Sequence, residues 1–141
     1  MSERSFEGRR VLARPLGEAD AQPLLDAVAA SRAQLKRRFG WVEAVAGLED
    51  IQRFIRAKAE AWEAGKASTF GIFDSRDERL LGVAALDPIV SEVLRAQLSI
   101  WIRGDQQDKG FAADAGRIAV DYAFKKLALH RLFAAHRLSL R

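Results

Sequence analysis

The chain has 141 residues, 49% hydrophobic and 30% charged, with no cysteine and a formal net charge of +4. That length holds a single domain, residues 1–141, with a sizeable core, and the composition is that of a globular chain rather than a disordered or membrane-embedded one. Disulfides and thiolate nucleophiles are excluded, no apolar run approaches the roughly 20 residues that span a bilayer, and Met1-Ser2-Glu3-Arg4 carries no apolar signal segment, so a reducing cytoplasm is expected.

Residues 9–15 alternate as a first strand, Val11 and Ala13 on one face and Leu12 and Arg14 on the other, and Pro15 ends it. Asp20 then precedes Ala21, Leu24, Leu25, Val28 and Leu35, whose spacing near the helical period of about 3.6 predicts a helix to about residue 38. Its end carries Lys36-Arg37-Arg38, cations that suit the negative end of a helix dipole. Residues 39–47 read as a loop punctuated by Gly40 and Gly47, with Trp41 as a large apolar surface. A second helix over 48–64 turns Leu48, Ile51, Phe54, Ile55 and Trp62 inward and stops at Gly65.

From Ser68 the period changes. Residues 68–73 and 80–86 are short apolar runs separated by Asp74-Ser75-Arg76-Asp77-Glu78, which predicts an antiparallel hairpin; Ile89-Val90 extend the second strand beyond a bulge at Pro88. Residues 96–103 alternate, setting Ala96, Leu98, Ile100 and Ile102 against Gln97, Ser99, Trp101 and Arg103. A helix over 113–127 and a short strand over 132–136 follow. Strand, helix and strand make a βαβ unit with parallel strands and a right-handed crossover. The order is β-α-α-β-β-β-α-β: an α/β fold, with a mixed central sheet and helices on both faces.

The strand and helix of that unit are joined by Gln107-Asp108-Lys109-Gly110-Phe111-Ala112. A short Gly-containing turn entering a helix points several free backbone N–H groups one way, at the positive end of the dipole, and so forms an anion site. Gln-x-x-Gly-x-Ala resembles the Q/R-x-x-G-x-G/A segment of the GNAT acetyltransferase superfamily, and Tyr122-Ala123-Phe124-Lys125-Lys126-Leu127-Ala128-Leu129-His130-Arg131 resembles the Y-A-F-x-x-L-x-L-x-R segment of its RimJ/RimL-type branch. The resemblance implies the acyl-CoA N-acyltransferase fold. It also implies acetyl-coenzyme A as co-substrate, no metal, and transfer of the acetyl group to a primary amine of a protein or small molecule, attacked directly.

Under that resemblance the backbone N–H groups from Gln107 through Asp108, Lys109, Gly110 and Phe111 to Ala112 hold the pyrophosphate, with the Gln107 side chain as an added donor. Asp108 departs from the family's uncharged or basic residue and opposes a diphosphate. Trp101, Ile102 and Arg103 match the place where a backbone N–H faces the developing oxyanion and the strand splays from its parallel neighbour. The general base stays open. Gln97 stands where the branch often carries Glu, and an amide cannot accept the proton; Asp87, Glu92 and water are the substitutes. His130 and His136 read as structural or surface residues, and Tyr122 as core.

A complete family member continues beyond the last strand through an Asn-x-x-Ser-containing loop, a helix and two strands, where this sequence has Arg137-Leu138-Ser139-Leu140-Arg141. The resemblance therefore implies a C-terminally shortened member with an open sheet edge, prone to homo-oligomerise and low in turnover. Three readings follow. The first is an N-acetyltransferase, the second a catalytically silent GNAT-like binding or oligomerisation module, and the third a nucleic-acid-binding protein resting on charge alone. A pI near 9.8 suits coenzyme A, RNA and acidic protein tails alike.

Overall fold

Strand β5 (Arg95–Ile102) buries Ala96, Leu98, Ile100 and Ile102 on one face and turns Gln97 and Ser99 to the other, as alternation requires. In the computed structural model, which describes residues 4–134, it belongs to a six-stranded sheet. The strands β1 (Phe6–Glu7), β2 (Val11–Pro15), β3 (Ser68–Asp74), β4 (Leu80–Val90), β5 and β6 (Arg131–Ala134) lie side by side in chain order. Every neighbouring pair is antiparallel except β5 and β6, which run parallel from Arg95 opposite Arg131 to Leu98 opposite Ala134. The parallel pair is joined through a helix, as a crossover requires, since a tight turn cannot return the chain in the same direction; helices also lie between β2 and β3, which pair antiparallel.

That helix, α4 (Phe111–Asp121), lays Phe111, Ala115, Ile118 and Ala119 against Val11, Phe70, Leu81, Leu86, Leu98 and Ile100. Helices α1 (Ala21–Ala30), α2 (Arg32–Leu35) and α3 (Leu48–Glu63) cover the other face, packing Leu24, Val28, Leu35, Ile51 and Ile55 with Phe73, Leu80, Val83 and Trp101. Tyr122 stands edge-on to Phe6, Trp62 and Phe70 at centroid distances of 5.5, 5.9 and 5.2 Å, a packing role, as its place on the apolar face suggested. No helix among the described residues is long and apolar enough to cross a membrane.

The structure departs from the sequence reading in several places. The first helix breaks at Ser31, whose buried hydroxyl accepts the Gly104 N–H at 2.8 Å and ties the helix to the loop after β5. Leu48, expected inward, is 37% exposed because it opens α3, ahead of the turns that reach the core. Strand β4 runs on to Val90 across a register shift between Leu86 and Ile89. The last helix starts at Phe111, and its end, Tyr122–Lys126, is a π-turn. Strand β1, two residues long, is too short to show a period. His136 and the tail of the last predicted strand lie outside the described residues.

Candidate active site

Past Ile102 the chain makes a 3-10 turn, Gly104–Gln106, and enters α4 through Gly110. Asp108 and Gly110 both take left-handed backbone angles, φ 61° and 81°. Glycine suits the second position for its conformation rather than for lack of room, since an added Cβ would meet only Arg10 at 3.6 Å, an ordinary contact. Asp114 N–H donates to Gly110 O at 3.1 Å and starts the helix. Among the described residues no backbone carbonyl accepts from the N–H groups of residues 107–113, so a run of donors is left without a backbone partner at the helix N-terminus.

Gln107 is placed differently from the expectation. Its Nε2 donates to Ile102 O at 2.6 Å and to Arg103 O at 3.4 Å, so the amide braces the strand end instead of standing free as a phosphate donor. The Ile102 carbonyl turns away from β4, and a buried strand-end acceptor needs a donor.

Four cations and one carboxylate share the open cleft beside this turn. Arg9, Arg10, Arg76, Lys109 and Asp108 line a cavity of about 980 Å³ with Ser75, Gly110 and Phe111. Asp114 puts the first two there. Its carboxylate, 2% exposed on the first turn of α4, accepts from the backbone N–H groups of Arg9, Arg10 and Val11 at 3.2, 2.8 and 3.0 Å. Burial alone would push this carboxyl up; the three N–H groups and Arg117 outweigh it and hold it below the usual aspartate range. Gly8 lets the turn come this close, since a Cβ there would collide with the Asp114 carboxylate.

Arg76 is held by Asp74, a buried carboxylate at 3.0 Å that also accepts the Arg76 backbone N–H at 2.9 Å. Those bonds bring Asp74 down from 3.8 to about 2, against the opposing effect of burial. The sequence reading passed over Arg9, Arg10 and Arg76, assigning them to a strand start and a hairpin turn. The doublet after Gly8 was the available signal.

On the helix-α3 face of β5 lies a second cleft, about 200 Å³, with Gln97, Ser99 and Trp101 of β5, Val83, Ala85 and Asp87 of β4 and Thr69 of β3 among its lining residues. Its other wall is aromatic: Trp41 stands 5.9 Å from Phe39 and 5.1 Å from Phe54, ring to ring. Of the candidate bases, Asp87 lines this cleft, with its Oδ2 3.0 Å from Lys58 Nζ. Glu92 sits on the exposed turn Ser91–Val93 and does not. His130 is exposed, its N–H spent on Leu94 O at 2.7 Å.

Strand β5 runs from the second cleft to the loop that enters the donor turn. Arg103 N–H bonds Leu81 O at 2.8 Å and Trp101 pairs with Val83, so both aim their N–H groups at β4; by alternation Ile102 aims its own the other way. The residues that would face 101–103 across β6 lie outside the described ones, and so does the expected splay. The outward carbonyl of Ile100 accepts from Arg38 Nη2 at 2.7 Å. That arginine, expected to act at a helix end, reaches across to the sheet, where burial lowers its pKa. No group of three or more His, Asp or Glu side chains that could hold a metal occurs among the described residues.

The sequence profile of the acetyltransferase (GNAT) domain matches residues 10–139. The probable N-acetyltransferase YjcK of Bacillus subtilis strain 168 is 30% identical over 132 residues, covering 92% of this chain and 72% of that protein. Among solved structures, RimL, a ribosomal L7/L12 alpha-N-protein acetyltransferase in complex with coenzyme A, superposes with a TM-score of 0.83 at 17% identity over 89% of this chain and 70% of its own. The microcin C7 self-immunity acetyltransferase MccE, in complex with acetyl-CoA and AMP, gives 0.83 at 14% identity over 94% and 73%.

Proposed function

The chain belongs to the GNAT family of acetyl-CoA-dependent N-acetyltransferases, and from that premise we propose that it acetylates a primary amine, a protein N-terminus or a small-molecule amine, at the cleft on the α3 face of β5. The observation that carries this reading is the run of N–H groups over residues 107–113, without a backbone acceptor among the described residues, beside Arg9, Arg10, Arg76 and Lys109. Backbone donors at a helix N-terminus and guanidinium forks both suit a pyrophosphate, and the surplus of positive charge outweighs Asp108.

From there the coenzyme's thioester would lie along β5, with the Ile102 N–H as the donor for the oxyanion of the tetrahedral intermediate. The acceptor enters along the aromatic wall that Trp41 and Phe54 form together. Asp87 takes its proton, Gln97 orients it through the amide, and the amine nitrogen attacks the thioester carbon as the coenzyme thiolate leaves. RimL, a ribosomal L7/L12 alpha-N-protein acetyltransferase of the same fold, lends the protein N-terminus as the first acceptor to try.

A second reading, a coenzyme-binding module without turnover, is supported by Gln97 in a place where the branch often has a carboxylate and by the pairing of Asp87 with Lys58. Calorimetric titration with coenzyme A, followed by thiol release from acetyl-CoA with a panel of peptides and small amines, separates the two. Binding with release establishes the enzyme, binding without release the silent module, and no binding removes both.

A further inference from the structure

Lys58 brings a primary amine of the protein itself into the acceptor cleft. It stands on α3 one turn after Phe54; its Nζ lies 5.4 Å from the Phe54 ring centroid and 3.0 Å from Asp87 Oδ2, and its side chain lines the cleft opposite Gln97, Ser99 and Trp101. What an acetyl acceptor needs therefore meets at one atom: an amine, a carboxylate in contact to take its proton, an aromatic wall, and the strand that leads to the coenzyme turn. Thr69 adds a separate observation. Its Oγ1 is buried with no hydrogen-bond partner among the described residues, in a side chain that lines this cleft together with Lys58. An acetamide carries both a donor and an acceptor with which such a hydroxyl can pair.

We propose that the protein acetylates its own Lys58, an inference that rests on the acetyltransferase reading of this cleft. The Lys58 ammonium gives one proton to Asp87, and its flexible four-carbon stem swings the free amine toward β5. The nitrogen attacks the acetyl carbonyl carbon and the carbon–sulfur bond breaks. The coenzyme thiolate takes the second amine proton, and Asp87 releases the first to solvent. The products are an amide on Lys58 and free coenzyme A. The amide has no charge, so the modification also frees the Asp87 carboxylate inside the cleft, and the amine that occupied the acceptor position is gone.

Exposure provides the control. Untemplated acetylation favours accessible amines, and the Lys125 side chain is 76% exposed against 31% for Lys58. The full chain is incubated with acetyl-CoA and acetyl occupancy at each lysine is followed by peptide mass spectrometry, with coenzyme A calorimetry on the same preparation. Lys58 should be labelled about tenfold faster than Lys125 or more, as held groups react faster than free ones. Excess coenzyme A should suppress labelling at Lys58 and leave Lys125 unchanged, a test that needs no variant, and Asp87→Asn should slow Lys58 alone. A protein that binds coenzyme A yet labels Lys58 no faster than Lys125 overturns self-acetylation and leaves the coenzyme site standing. Absence of coenzyme binding overturns both.

Discussion

The Asp114 carboxylate accepts the backbone N–H of Val11 at 3.0 Å across 103 residues of sequence, and so fastens the turn that carries Arg9 and Arg10 to the helix whose N-terminus faces the proposed pyrophosphate site. Asp114→Asn keeps the shape but not the charge, and an amide cannot serve three donors at once. A loss of roughly 2–4 kcal/mol is expected from the unsatisfied buried N–H groups, with coenzyme A affinity falling as the two arginines lose their mounting. Urea denaturation and calorimetry check the two halves; unchanged stability would show that the turn holds without its anchor.

Arg9 and Arg10 themselves should matter to binding and little to folding, since both are exposed. Each charge-assisted contact contributes about 1.5–3 kcal/mol, so replacing either by Ala should weaken coenzyme A binding by about tenfold or more, and the affinity of the double variant should depend less on salt. Equal affinity in variant and parent would place the coenzyme elsewhere.

Gly110→Val puts a β-branched residue at φ 81°. The strain costs about 1–3 kcal/mol, and reshaping the donor turn should lower coenzyme A affinity by more than this loss of stability alone. Calorimetry of the folded variant decides; parental affinity would remove the turn from the site.

Asp108 also sits in the left-handed region, and its side chain makes no cap to α4. Asp108→Gly should tighten coenzyme binding by removing a like charge within about one Debye length, roughly 8 Å at physiological salt. Asp108→Asn, which tolerates the same backbone, isolates the charge from the strain. The gain should shrink as salt rises. Weaker binding in the Asn variant would mean that the carboxylate supports the loop.

Asp74 predicts an acid signature. Its folded value, about 2, lies below the ordinary 3.8, so its stabilising contribution is complete above roughly pH 4 and is lost as pH falls toward 2. Arg76→Ala removes the first cause of that depression. Parent and variant should therefore differ most above pH 4 and converge toward pH 2 in denaturation curves. A difference that grows with acid would reverse the assignment.

Local period and turn chemistry determined most of the architecture. The alternation of residues 96–103 placed β5 to within a residue, Gly110 marked the turn into α4, and the strand–helix–strand order predicted the parallel pairing of β5 and β6. These are properties of neighbouring residues, and neighbouring residues are what a sequence displays. The break at Ser31 could not be read, because the hydroxyl that marks it bonds Gly104, 73 positions away.

The same holds at the site. The sequence identified the donor turn but not the cations around it: Arg9 and Arg10 come from the opposite end of the chain and are delivered by Asp114, a residue to which the sequence assigned no role. It proposed both Asp87 and Glu92, and only packing of α3 against the sheet distinguished them, by bringing Lys58 and the aromatic wall over Asp87 and leaving Glu92 in solvent. Local sequence set most of the strands and helices. Contacts between distant segments set the charge of the clefts, because electrostatic partners are chosen by distance in space.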